Sequence, residues 1–172
     1  MKYFLFVNFA IYQATWFLAA LYPDSASLLI TGLIIIHFIL SPTKIADFRL
    51  LNIALIGCVV DGVLILYDVI QTTNGTLPTT LILLWCVFSF TFNHCLNWLQ
   101  TIDPKYVCLI GLVLGPSSYF AALKLNTFDT TLSSIEFIAI YAFIWALLLP
   151  LFVKYTTSVK ILFEQNAQEA EQ

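Results

Sequence analysis

The sequence predicts an all-α fold, a polytopic membrane protein with six transmembrane helices in one bundle and both termini cytoplasmic. Three observations predict it. Of 172 residues, 60% are hydrophobic and only 10% charged, against about 45–50% and about 25% in soluble domains. Second, the apolar residues form runs near the length of a helical span, separated by short polar breaks. Runs such as Leu28–Leu40 and Leu132–Val153 do not alternate apolar and polar residues as barrel strands do. Third, the basic residues fall on alternate breaks.

The first span is read as residues 3–22. Asn8, Tyr12, Thr15, Ala19 and Tyr22 form one stripe on it, at about 100° of rotation per residue, and that stripe should face other helices. Lys2 followed by an apolar run resembles a signal peptide, but Asn8, Tyr12, Gln13 and Trp16 interrupt the run and argue for a retained span. Pro23-Asp24-Ser25 makes a tight turn into the second span, residues 26–41, with His37 near its end. Ser41-Pro42-Thr43-Lys44 closes that span.

The third span, residues 48–71, contains Asp61 and Asp68, seven apart and so on one helical face. Thr72 to Pro78 is a loop by its Asn-Gly and Pro content. The fourth span, residues 79–100, carries Asn93, His94 and Asn97 within two turns. Asp103-Pro104 precedes the fifth span, residues 106–124, where Gly111 and Gly115 permit close helix approach and Pro116 removes a backbone donor. The sixth span, residues 132–155, has Glu136 near its start and Pro150 near its end. Residues 156–172 are expected to be a cytoplasmic helix extension and an acidic tail, without structure from Glu164 onward.

Six spans return the chain to the side on which it began. With the N-terminus in the cytoplasm, Lys2, Lys44, Arg49, Lys105, Lys154 and Lys160 are cytoplasmic and only Lys124 lies outside, a bias that sets orientation. The net charge of -3 is small. No basic cluster points to nucleic acid, so none is expected as a partner. Cys58, Cys86, Cys95 and Cys108 all lie in apolar runs without a C-x-x-C pair and read as small buried hydrophobes.

Polar groups inside such spans are costly unless they face one another or a wet cavity. Counting depth along each helix places Asn8, His37, Asn93, His94 and Asn97 in one cytoplasmic-side layer. It places Gln13, Asp61, Asp68, Ser117, Ser118 and Glu136 at the middle or outer half. The candidate functional cluster is therefore Asn8, Gln13, His37, Asp61, Asn93, His94, Asn97, Ser118 and Glu136. Asp61 is the most expensive member, and a protonated, paired or water-facing state is expected for it. Interhelical hydrogen bonding accounts for the histidines and for Asn93 and Asn97. No H-x-x-x-H or H-E-x-x-H spacing brings the histidines together, so no metal site and no cofactor is assigned.

The segments Asn8-Phe9-Ala10-Ile11-Tyr12-Gln13-Ala14-Thr15-Trp16-Phe17, then His37, Arg49 and Asp61, carry a resemblance that spans nearly the whole chain. It continues through Leu84-Trp85, Leu96-Asn97-Trp98-Leu99, Gly115-Pro116-Ser117-Ser118-Tyr119, Trp145 and Pro150-Leu151. In these segments the chain resembles the bacterial inner-membrane proteins grouped as domain of unknown function 2878. It departs from their pattern at His94-Cys95-Leu96, where the pattern has a small hydroxyl residue before the leucine, which lowers His94 and favours His37 and Asp61. The resemblance implies a bacterial inner (cytoplasmic) membrane setting. It also implies a link to membrane-lipid modification, since members are often encoded beside cyclopropane-fatty-acid-synthase-like enzymes.

No recognised catalytic spacing is present, and little mass lies outside the spans. The expected function is non-catalytic binding of membrane lipid, of a membrane protein partner or of a second copy. The alternatives are a small proton-coupled transporter, resting on Asp61, Glu136 and the Gly115-Pro116 break, and an intramembrane enzyme acting on acyl lipids through His37, Asp61 or His94.

Overall fold

The computed structural model describes residues 2–170 of the chain, with side chains over 3–161. The helices are α1 (Lys2–Leu21), α2 (Ser27–Leu40), α3 (Lys44–Arg49), α4 (Leu51–Leu66), α5 (Thr79–Thr91), α6 (Pro104–Lys124) and α7 (Ser134–Ala170), with a 3-10 turn at Asn97–Thr101. Among the described residues there is no strand, only an isolated bridge between Gln71 and Asp129 in two loops. The fold is all-helical, and four helical stretches are long and apolar enough to cross a membrane: Tyr3–Leu21, Lys44–Leu66, Pro104–Lys124 and Ser134–Ile161. The other two expected spans are shorter. Helices α2 and α5 have 14 and 13 residues, which at 1.5 Å per residue rises only about 20 Å against a hydrocarbon core of about 30 Å.

Three element ends differ from the sequence reading, each for a local reason. Helix α5 stops at Thr91 rather than running on to residue 100. The N–H groups of His94 and Leu96 both return to the Thr91 carbonyl, at 3.0 and 2.7 Å. The Gln100 side chain donates to the Phe92 carbonyl at 2.9 Å, and the Cys95 N–H donates to Asn8 Oδ1 at 3.3 Å. Polar side chains thus supply the partners that let backbone unwind inside an apolar bundle. Asn93, His94 and Asn97 consequently do not line one α-helical face.

Helix α4 likewise stops at Leu66, where the N–H groups of Val69 and Ile70 return to the Leu64 carbonyl. Asp68 then turns with a left-handed φ of 57°, so Asp61 and Asp68 do not share a helix face. At the far end, the backbone of α7 carries through the segment from Glu164 that was expected to lack structure, as far as Ala170. The last residues of the expected tail, Glu171 and Gln172, lie outside the described residues.

Two helix starts follow from capping chemistry. Asp103 accepts from the Lys105 N–H at 2.9 Å with Pro104 at the first helical position of α6. Ser133 and Glu136 form a reciprocal capping box at the start of α7: the Ser133 N–H donates to Glu136 Oε2 at 2.9 Å, and the Glu136 N–H donates to Ser133 Oγ at 3.4 Å.

Helix α5 packs against α1, α2 and α4, while α6 and α7 form the most extensive helix pair. The main core gathers Trp85, Phe88, Phe92, Phe137, Tyr141, Trp145 and Phe152. Trp85 and Trp145 stack with centroids 5.8 Å apart. Both indoles sit on glycine: a Cβ on Gly57 would overlap the Trp85 ring, and one on Gly115 would overlap Trp145. The stripe on α1 faces inward as expected at Asn8, Thr15 and Ala19, all buried, while Tyr22 is exposed.

Candidate functional site

Buried polar chemistry concentrates around two aspartates. The first, Asp47, lies on α3 and is 0% exposed. Asn93 Nδ2 donates to its Oδ1 at 2.7 Å and to Thr43 Oγ1 at 2.8 Å. His94 Nε2 lies 2.9 Å from Oδ1 and 3.1 Å from Oδ2. His37 Nε2 lies 3.2 Å from Oδ2, and the Ser41 hydroxyl donates to the same oxygen. These donors come from the end of α2, the loop after it and the unwound segment after α5. One carboxylate therefore ties the α2–α3 junction to a segment more than forty residues away in sequence.

Aromatic rings hold the imidazoles in place. His37 stacks on Phe90 with centroids 4.5 Å apart, and the edge of Phe4 meets His94 at 4.6 Å. Asn8 is fully buried next to this layer and reaches it through the Cys95 N–H. Two nitrogens of the layer, Asn8 Nδ2 and His37 Nδ1, are buried without a protein partner.

The second aspartate, Asp61 on α4, is 1% exposed. Trp85 Nε1 donates to its Oδ2 at 2.6 Å, and the Tyr119 hydroxyl donates to the carboxylate from 2.8–2.9 Å. Tyr119 stacks on Tyr141 at 4.1 Å. Asp61 thus joins α4 to α5 and α6, and it sits behind the two side chains that its carboxylate fixes.

Those two side chains, Trp85 and Tyr119, line a cavity of about 230 Å³ between α1, α5, α6 and α7. Its walls are overwhelmingly apolar, with Tyr12, Leu84, Phe88 and Trp145 among them. Across it Trp16 Nε1 on α1 donates to Ser118 Oγ on α6 at 2.8 Å. No residue of the Asp47 layer lines this cavity.

The residues singled out from sequence separate into distinct places. His37, Asn93 and His94 meet at Asp47, with Asn8 adjoining. Asp61 stands apart, and Ser118 lies on the cavity wall. Gln13 is half-buried on α1. Asn97 opens the 3-10 turn, its N–H returning to the His94 carbonyl at 3.1 Å. Glu136 is exposed and caps α7, so it belongs to neither group. The four cysteines are free and half-buried.

Sequence reasoning misses Asp47, Ser41, Trp16, Trp85 and Tyr119 as site residues. Asp47 falls between Lys44 and Arg49 at a polar break, where a charge reads as interfacial. Its only signal is being the one acid in that basic junction. The spacing rule for metal ligands misses the convergence because His37, Asp47 and His94 arrive from three separate segments.

A family model described as "Protein of unknown function (DUF2878)" matches residues 5–151. No curated protein and no solved structure matches the chain.

Proposed function

Because the chain belongs to this family of unknown function, its role rests on the geometry, and we propose that it is a non-catalytic bacterial inner-membrane protein that holds the apolar chain of a membrane lipid between α1, α5, α6 and α7. The observation that carries this is the cavity of about 230 Å³ lined almost wholly by apolar side chains. A water needs only about 10–15 Å³, and apolar cavities of comparable lining stay dry and take apolar guests. An acyl or isoprenoid chain matches such a lining, and water does not.

The proposed topology is six spans within residues 1–155, with residues 156–172 as a cytoplasmic extension and both termini cytoplasmic. The basic residues support it, as does the position of the Asp47 layer. Helices α2 and α5 are too short to cross alone, and each ends at this layer, with His37 on α2 and Asn93 just past α5. Side-chain and unwound-backbone polar groups there satisfy one another, which is the condition for irregular chain at membrane depth.

The test is retention of lipid by the purified protein. Wild-type protein in mild detergent carries about one lipid per chain in extracted mass spectra. Ala122→Phe, which projects a ring from the cavity wall, loses most of it while keeping the melting temperature near wild type. Equal retention by the filled variant, or no stoichiometric lipid on the wild type, removes this reading.

A further inference from the structure

We propose that His37, Asp47 and His94 bind one divalent transition-metal ion of the zinc class. The three side chains are buried, and one ligand atom from each lies within 4.8 Å of the others. His37 Nε2 and His94 Nε2 both point at the Asp47 carboxylate, at 3.2 and 2.9 Å. An ion bound to nitrogen and oxygen at about 2.0–2.2 Å sets its ligands at separations of this order. Two imidazoles and one carboxylate suit zinc, iron(II) or cobalt(II), and they do not suit the all-oxygen preference of calcium or magnesium.

The surroundings are those of a supported centre. Asn93 and Ser41 hydrogen-bond the carboxylate and fix its plane, the outer-shell role that orients a metal-bound acid. Phe90 and Phe4 pack the two imidazoles and restrict their rotation. Each Nε2 lies within hydrogen-bond reach of Asp47, and His37 Nδ1 is buried without a partner. A metal on Nε2 leaves Nδ1 as the ring's N–H donor. His37 Nδ1 then lacks an acceptor among the described residues. A missing outer-shell partner weakens affinity by about 10–100-fold, so the site is a moderate-affinity one, not a closed structural zinc centre.

The experiment is a titration of chelator-stripped, full-length protein in detergent with Co²⁺, followed by competition with Zn²⁺. The proposal expects one cobalt per chain, visible d–d bands of a nitrogen-ligated ion, and loss of those bands on adding Zn²⁺. His94→Gln removes a ligand and weakens binding by more than about 100-fold, whereas Glu136→Gln, on the exposed cap of α7, leaves it unchanged. Absence of a stoichiometric d–d spectrum on the wild type overturns the proposal, and this reading needs no variant to fold. A spectrum retained unchanged in His94→Gln overturns it as well.

Discussion

Asp47 and Asp61 are both buried aspartates in an apolar bundle, yet their settings differ in kind. Asp47 receives side-chain donors from His37, Ser41, Asn93 and His94 and lies in a buried polar layer that does not line the apolar cavity. Among the described residues Asp61 receives side-chain donors only from Trp85 and Tyr119, and those two rings form part of a cavity wall. The contrast separates two jobs that a buried acid can do. A carboxylate surrounded by donors organises chain and ligand atoms, while one with two aromatic partners shapes the apolar space in front of them.

The largest expected effect tests the first half of that contrast. Asp47→Ala leaves two imidazoles, an amide and a hydroxyl without their shared acceptor, and removing one member of such a buried set costs about 3–5 kcal/mol. Thermal unfolding in detergent should show the deepest loss of any single change here. A melting temperature near wild type would mean that the layer contributes little to holding the bundle.

Next comes the aromatic wall. Gly115→Leu forces Trp145 out of its seat on α6, and overpacking of this kind costs about 1–3 kcal/mol. It should also release bound lipid, because the displaced indole is part of the cavity lining. Destabilisation with undiminished lipid would separate the wall from the ligand.

Asp61→Asn is expected to cost less, about 1–3 kcal/mol, since the amide still offers one acceptor to the two donors while its NH₂ faces the other. Intrinsic fluorescence should report it, because the acceptor of the Trp85 indole N–H changes. A larger loss of stability than for Asp47→Ala would reverse the comparison.

Legibility from sequence divides along the same line. Asp61 stood out because an acid inside the apolar span 48–71 has no solvent to explain it. Asp47 did not, because it lies three positions after Lys44 and two before Arg49, so the same residue type reads as an interfacial charge. Helical character followed directly from hydropathy, which reads six spans where four helical stretches are long and apolar enough to cross a membrane. The break after Thr91 did not, since it depends on Asn8 and Gln100 supplying bonds that no local pattern announces. Glu136 looked like an intramembrane acid, although the Ser133–Glu136 spacing already spells a capping box. The cavity was beyond reach, because its walls are the ordinary apolar residues of four helices.

The smallest expected effects lie at the margins of the two groups. Trp16→Phe removes the bond to Ser118, worth about 0.6 kcal/mol on the average for interhelical bonds in a bilayer. Its signature is therefore faster lipid exchange and not lost stability. Glu136→Gln touches only the exposed cap of α7 and should leave both lipid retention and cobalt binding at wild-type levels. A change in either would mean that Glu136 communicates with a site it does not contact.

The central claim is that an apolar chain occupies the space in front of Trp85 and Tyr119, and photo-crosslinking tests it most directly. A phospholipid with a diazirine near the end of its acyl chain is incorporated with the protein in bilayers and irradiated, and the labelled peptides are identified. Labels concentrated on the inward residues Trp16, Leu84 and Tyr119 are the predicted result. Labels confined to outward-facing residues such as Leu28, Leu66 and Ile135, with none on the cavity wall, would contradict it.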